Sequence, residues 1–174
     1  MSMQRTILKW GLLSGAILGG LMALTIPFAD STGSHSLIIG YATMVLSALM
    51  IFFGVRSYRE NAGAGRLTFG RGFLIGAGIA AVAGVCYVAT WLILYYNVFP
   101  DFYDKYATQM LDRAKASGAS AEKLAGITTQ ADQIRQISGK PLMIIGMTFL
   151  EYFPVGLVVA LLSAGMLRRQ PKAV

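Results

Sequence analysis

The chain has 174 residues, of which 55% are hydrophobic and only 13% charged, with a mean hydropathy of +0.59. A soluble domain carries about 25% charged residues, so an ordinary water-soluble fold is excluded and one compact membrane domain over residues 1–174 is expected. The formal charge of +7 comes from basic residues beside apolar runs rather than along one soluble face, which argues against nucleic acid as a partner.

Arg5 and Lys9 precede an apolar run from Trp10 to Ala29. Secretory signal h-regions are about 7–15 residues long, and this run is longer and lacks a clear small-x-small cleavage pattern before Asp30, so a retained first helix is expected. Gly11, Gly15 and Gly19 recur every four positions, laying a stripe on which another helix backbone can approach closely. Homodimerisation and packing inside one bundle are both open uses of that stripe, the second being the commoner. Pro27 suits a helix end or a kink. The connection Asp30 to Ser36 has no lysine or arginine and reads as an outer turn. His35, the only histidine, has no second histidine to join it and Asp30 as its only nearby carboxylate; Cys86 is the only cysteine. No metal site is expected, since stable sites need three or four protein donors.

Leu37 to Val55 are nineteen residues without a formal charge, close to the roughly 20 that cross a bilayer core as a helix. The connector that follows gathers Arg56, Arg59, Arg66 and Arg71 against one carboxylate, Glu60. Arginine-rich short loops stay in the cytoplasm, and these four side chains are candidates to snorkel to anionic headgroups. Asn61, Gly63, Gly65 and the run Phe69-Gly70-Arg71-Gly72-Phe73 also suggest a phosphate nest, but the Walker lysine-serine pattern and a preceding strand are missing.

A third span is expected over about 72–99, with Gly72, Gly76, Ala80 and Gly84 repeating the small-residue spacing and Trp91, Tyr95, Tyr96 and Phe99 marking its interfacial end. Asp101 to Lys140 is the one substantial polar segment, with six basic against five acidic residues. Phe99, Tyr103, Tyr106, Met110 and Ala114 follow helical spacing, as do Leu124, Ile127, Ala131 and Ile134, and Ser117-Gly118 interrupts them. An amphipathic helical hairpin on the outer side of the membrane results. The last span, about 141–167, begins with proline at a helix-compatible first position and ends at Arg168, Arg169 and Lys172. Nine of the fifteen basic residues then flank the spans on one side, giving four helices with both termini cytoplasmic.

Glu151 lies ten residues beyond Pro141, about 15 Å along a helix and inside the hydrocarbon. An ionisable side chain there is a functional-site hypothesis by default. No lysine, arginine or histidine occupies the middle of another span, so the neutral acid is expected, facing inward. Its candidate partners are Ser47, Tyr87, Thr90 and the Leu150 carbonyl, whose usual helical donor Pro154 cannot supply.

Several landmarks occur in one order: Gly40-Tyr41, Phe53-Gly54-Val55-Arg56-Ser57-Tyr58-Arg59, Phe69-Gly70-Arg71-Gly72-Phe73, Asn97-Val98-Phe99-Pro100-Asp101-Phe102-Tyr103 and Phe149-Leu150-Glu151-Tyr152-Phe153-Pro154-Val155-Gly156. From about Trp10 to Arg169 the chain thereby resembles the bacterial domain-of-unknown-function 4199 family. The resemblance implies a small four-helix protein of the bacterial inner membrane with a long insertion before the last span; it brings no activity, cofactor or catalytic residue.

The sequence therefore supports an all-α integral membrane four-helix bundle and two classes of function. One is a non-catalytic interaction or assembly component whose partners are the lipid bilayer and either itself or another membrane protein. The other is a transport or proton-responsive protein built on Glu151. Intramembrane hydrolysis is the weakest reading, because the spans hold no carboxylate pair and no serine-histidine or serine-lysine arrangement.

Overall fold

The structure, a computed structural model, describes residues 2–25, 35–63 and 65–168. Pro27, the Asp30 to Ser34 stretch of the first connection, Arg169 and Lys172 lie outside the described residues, as does the side chain of His35. The described chain is all-α, with α1 at Met3–Thr25, α2 at His35–Asn61, α3 at Phe69–Asn97, α4 at Phe102–Ala116, α5 at Ala121–Ile137 and α6 at Pro141–Leu167. α1, α2, α3 and α6 are long and apolar enough to cross a membrane, which makes this a multi-pass membrane protein.

The helices overrun the apolar runs for local reasons. α2 continues past Val55 to Asn61 because Arg and Glu favour helix and Arg56 Nε donates to Glu60 Oε1 at 2.9 Å, one turn on. α3 begins at Phe69 rather than Gly72: Thr68 caps it, its Oγ1 accepting from the Arg71 N–H at 3.4 Å and its carbonyl from the Gly72 N–H at 3.0 Å. It ends at Asn97, before Phe99, because Pro100 disfavours helical backbone at the residue ahead of it. Between α2 and α3 the turn depends on glycine. Gly65 has φ +77°, and a Cβ on Gly63 would collide with the Arg66 carbonyl oxygen.

The chain divides into two compact units. The first holds α1, α2, α3 as far as Trp91, and α6 from Thr148. Its core joins Ala48, Ile51 and Val55 of α2, Ile75, Ile79 and Ala80 of α3, and Ala160 of α6, with Ile7 and Trp10 of α1 packed against them.

Glycine positions give the helix directions. A Cβ on Gly11 would meet Val82, one on Gly15 would meet Cys86, and one on Gly19 would meet Thr90. Both sets of numbers rise together in steps of four, so α1 and α3 run parallel with their backbones close. α3 also carries a second small-residue face. Gly72 meets Ala164, Gly76 meets Ala160, Gly84 meets Phe149, and Gly156 of α6 meets Ala80, a descending register that makes α3 and α6 antiparallel. Trp10 packs on Gly54 while Ser14 bonds to Ser47, so α1 and α2 are antiparallel too. The Gly11, Gly15, Gly19 stripe is thus filled by α3 of the same chain.

The second unit runs Leu92–Met147. α4 ends in a Schellman turn: Gly118, at φ +68°, donates to the Lys115 carbonyl at 3.1 Å and Ala119 to the Ala114 carbonyl at 3.2 Å. Two residues later Ser120 caps α5, accepting from the Lys123 N–H at 3.4 Å. α4 and α5 bury Ala107, Ala114 and Ala131. The phase of α4 differs from the sequence expectation: Tyr106 is 49% exposed and Ala107 fully buried, because alanine lets the helices approach while Tyr106 stacks its ring on Phe102. Arg135 of α5 reaches Thr108 Oγ1 at 3.4 Å, Asp104 at 3.8 Å and Asp132 at 3.2 Å. The two contacts with aspartate are exposed ion pairs, each contributing about 0–1 kcal/mol.

Candidate functional site

A polar cluster lies inside the first unit. Ser14 of α1 and Ser47 of α2 are fully buried, and each hydroxyl donates to the other residue's carbonyl: Ser14 Oγ to Ser47 O at 2.9 Å and Ser47 Oγ to Ser14 O at 3.1 Å. The two Oγ atoms stand 3.0 Å apart. A serine hydroxyl has one proton and two lone pairs, so with both protons placed on carbonyls the oxygens still accept. The Tyr152 hydroxyl of α6, also fully buried, supplies the donor at 3.4 Å from Ser14 Oγ and 3.5 Å from Ser47 Oγ. Three hydroxyls and two carbonyls from three helices thereby meet, the two serine–carbonyl bonds short and the tyrosine contacts long and weak. In lipid each such bond contributes on the order of 0.6 kcal/mol.

The Tyr152 ring meets the Tyr87 ring of α3 with centroids 6.1 Å apart. Tyr87 is 8% exposed, and its hydroxyl donates to Glu151 Oε2 at 3.5 Å, a long and weak bond. Glu151 is exposed along one side of the unit while the carboxyl oxygen that Tyr87 reaches is part-buried, so the inward orientation expected from sequence is corrected only in part: the side chain lies at the edge of the unit, with one oxygen turned toward α3. Adjacent residues on a helix project about 100° apart. Tyr152 takes the interior direction, so Glu151 is turned aside.

The remaining sequence candidates fall in three places. Of the partners proposed for Glu151, Tyr87 reaches it; Ser47 is committed to Ser14, and Thr90 donates to the Cys86 carbonyl at 2.9 Å within its own helix. Pro154 lies inside α6 and is exposed. Gly11, Gly15, Gly19, Gly72, Gly76 and Gly84 are helix-contact positions. Among the four arginines, Arg56 and Arg59 both reach Glu60 Oε1, at 2.9 and 3.4 Å, whereas Arg66 and Arg71 stand exposed around the turn into α3. Glu60 therefore offsets one of the two positive charges at the α2 end of the basic patch, and Arg66 and Arg71 add two more around the turn.

Ser14 and Tyr152 were not picked out from sequence. The available signal for Ser14 is one serine in each of two consecutive apolar spans, at comparable distances from the basic end. For Tyr152 there was none, since the rotational phase of α6 depends on its neighbours. Among the described residues no three His, Cys, Asp or Glu side chains come together to hold a metal. The cluster is suited to locking helices together.

The family model described as a protein of unknown function (DUF4199) matches residues 9–169, nearly the whole chain. No curated protein and no solved structure matches it.

Proposed function

The chain belongs to the DUF4199 family, and with that membership as premise we propose that it is a non-catalytic component of a membrane assembly. The observation that carries this reading is the exposure of Glu151 on the side of a membrane-spanning helix. The hydrocarbon offers no water to a carboxyl group, so intramembrane ionisable residues face protein or a hydrated cavity. A flank that presents one outward is incomplete without a partner. In this reading the four spans form a four-helix bundle in the bacterial inner membrane, both termini are cytoplasmic, and α4 and α5 form a hairpin outside. Arg66 and Arg71 rest on anionic headgroups.

The alternating directions of α1, α2, α3 and α6 are those of successive crossings in either orientation, and the arginines at the turn favour the inside for it. A reporter active only outside the cytoplasm is expected to work when fused after Ser117 and to fail after Ala62; activity after Ala62 would reverse the orientation. The assembly itself is tested by particle mass in native lipid, which is expected to exceed that of one chain. A particle of one chain with lipid alone refutes it.

The Tyr87–Glu151 pair favours one competing reading, in which the carboxyl handles a proton or a cation. Glutamine keeps the size and hydrogen bonding of the side chain but does not ionise. Under the assembly reading Glu151→Gln retains both stability and the phenotype of the wild type. A stable glutamine variant as defective as a gene deletion would establish the proton-handling reading instead.

A further inference from the structure

We infer that the partner on this flank is a second copy of the same chain, joined α6 to α6 about a twofold axis normal to the membrane, with the two Glu151 carboxyl groups paired at its centre. The inference rests on the assembly reading and names its partner.

The first support is the pattern of exposure along α6. Along the exposed side of α6, Glu151, Pro154, Val158 at 56%, Leu161 at 46% and Gly165 fall on one line, with Leu150, Leu162 and Met166 exposed on either side of it. The spacing along that line alternates three and four, which is the seam of a left-handed helix pair. At Gly165 nothing lies within 4 Å of a built Cβ, so the seam narrows where a neighbouring backbone needs room. Lipid-facing apolar residues alone would say nothing of a partner. The carboxyl within the seam does.

The second support is chemical. Two copies with one membrane orientation are related by an axis along the membrane normal, and such an interface sets residue i beside the same residue of the other copy at equal depth. The partner group for Glu151 is then another Glu151. A neutral carboxyl carries one donor and one acceptor, so two of them satisfy each other, each O–H donating to the other's carbonyl oxygen. The chain holds no basic side chain mid-span that offers a different complement, and the small-residue faces of α1 and α3 are already filled from within. α6 is the helix that combines an open seam with a self-complementary group.

The experiment uses the full chain in lipid nanodiscs or native membrane vesicles. In a Cys86→Ala background, Val158→Cys on the seam is expected to give mostly disulfide-linked dimer on oxidation. Val85→Cys, exposed at 63% but on α3, is expected to stay monomeric. Adding Glu151→Gln, whose amide is also self-complementary, keeps the crosslink; adding Glu151→Leu lowers it at least about tenfold. Glu151→Lys alone abolishes it, and mixing that variant with Val158→Cys chains that keep Glu151 and carry a different tag restores a mixed crosslinked pair, since opposite charges now meet at the axis. Equal crosslinking by the leucine variant, or none at position 158, overturns the inference. If position 158 crosslinks to a different protein, the second copy is ruled out while the assembly reading stands. If the particle contains one chain, both fall together.

Discussion

Replacing Gly15 by leucine is expected to force α1 away from α3 and to destabilise the first unit by about 1–3 kcal/mol or more. Even the Cβ of the new side chain would collide with Cys86 Cβ, and it would approach Cys86 Sγ to 2.9 Å. Neither helix has slack at this point, because Gly11 and Gly19 are equally close to Val82 and Thr90 one turn to either side. The lone cysteine is the readout. Partly buried in the wild type, Cys86 should react several-fold faster with a lipid-permeant maleimide in the variant. The control is Gly20→Leu, five residues along the same helix, where nothing lies within 4 Å of a built Cβ. If that change is neutral and Gly15→Leu is neutral as well, the close parallel approach of α1 and α3 is wrong.

Truncating Tyr152 is the other change expected to cost most. Among the described residues it is the largest fully buried side chain, so Tyr152→Ala leaves a cavity at the meeting point of α1, α2, α3 and α6, and large aromatic truncations of this kind cost about 3–5 kcal/mol. Tyr152→Phe keeps the ring and removes only the hydroxyl. The serine pair holds its own protons on carbonyls, so phenylalanine should cost no more than about 1 kcal/mol. Reversible unfolding in mixed micelles measures both. A phenylalanine variant as unstable as the alanine variant would mean that the hydroxyl, and not the ring, holds the cluster together.

The contrast between these residues and Glu151 shows what the sequence made legible. Four spans, their approximate ends and the polar helical insertion follow from where charges and apolar residues alternate, a one-dimensional property. The small residues at Gly11, Gly15, Gly19, Gly72, Gly76 and Gly84 were legible as contact faces because a four-residue period puts them on one side of a helix whatever lies opposite. Which helix lies opposite was not legible. The same holds for rotation: depth along α6 can be counted from Pro141, but whether Glu151 or Tyr152 points inward is decided by the fit of Gly156 and Ala160 against α3. α4 shows the same limit in the second unit, where Ala107 and not Tyr106 takes the buried position. Side-chain hydrophobicity favoured the tyrosine, and close helix approach favoured the alanine.

The reciprocal serine bonds have a consequence for the order in which the protein is made. Ser14 and Ser47 are 33 residues apart, and their two bonds require nothing from later in the chain. Tyr152 comes 105 residues after Ser47 and only adds a donor to oxygens already settled. As the ribosome releases the chain, α1 and α2 can therefore leave the translocon as a pair latched by Ser14 and Ser47, whose hydroxyl protons are both placed. Its glycine groove stays bare until α3 emerges to fill it. Until then the face of Gly11, Gly15 and Gly19, which α3 covers in the finished protein, is open to other helices.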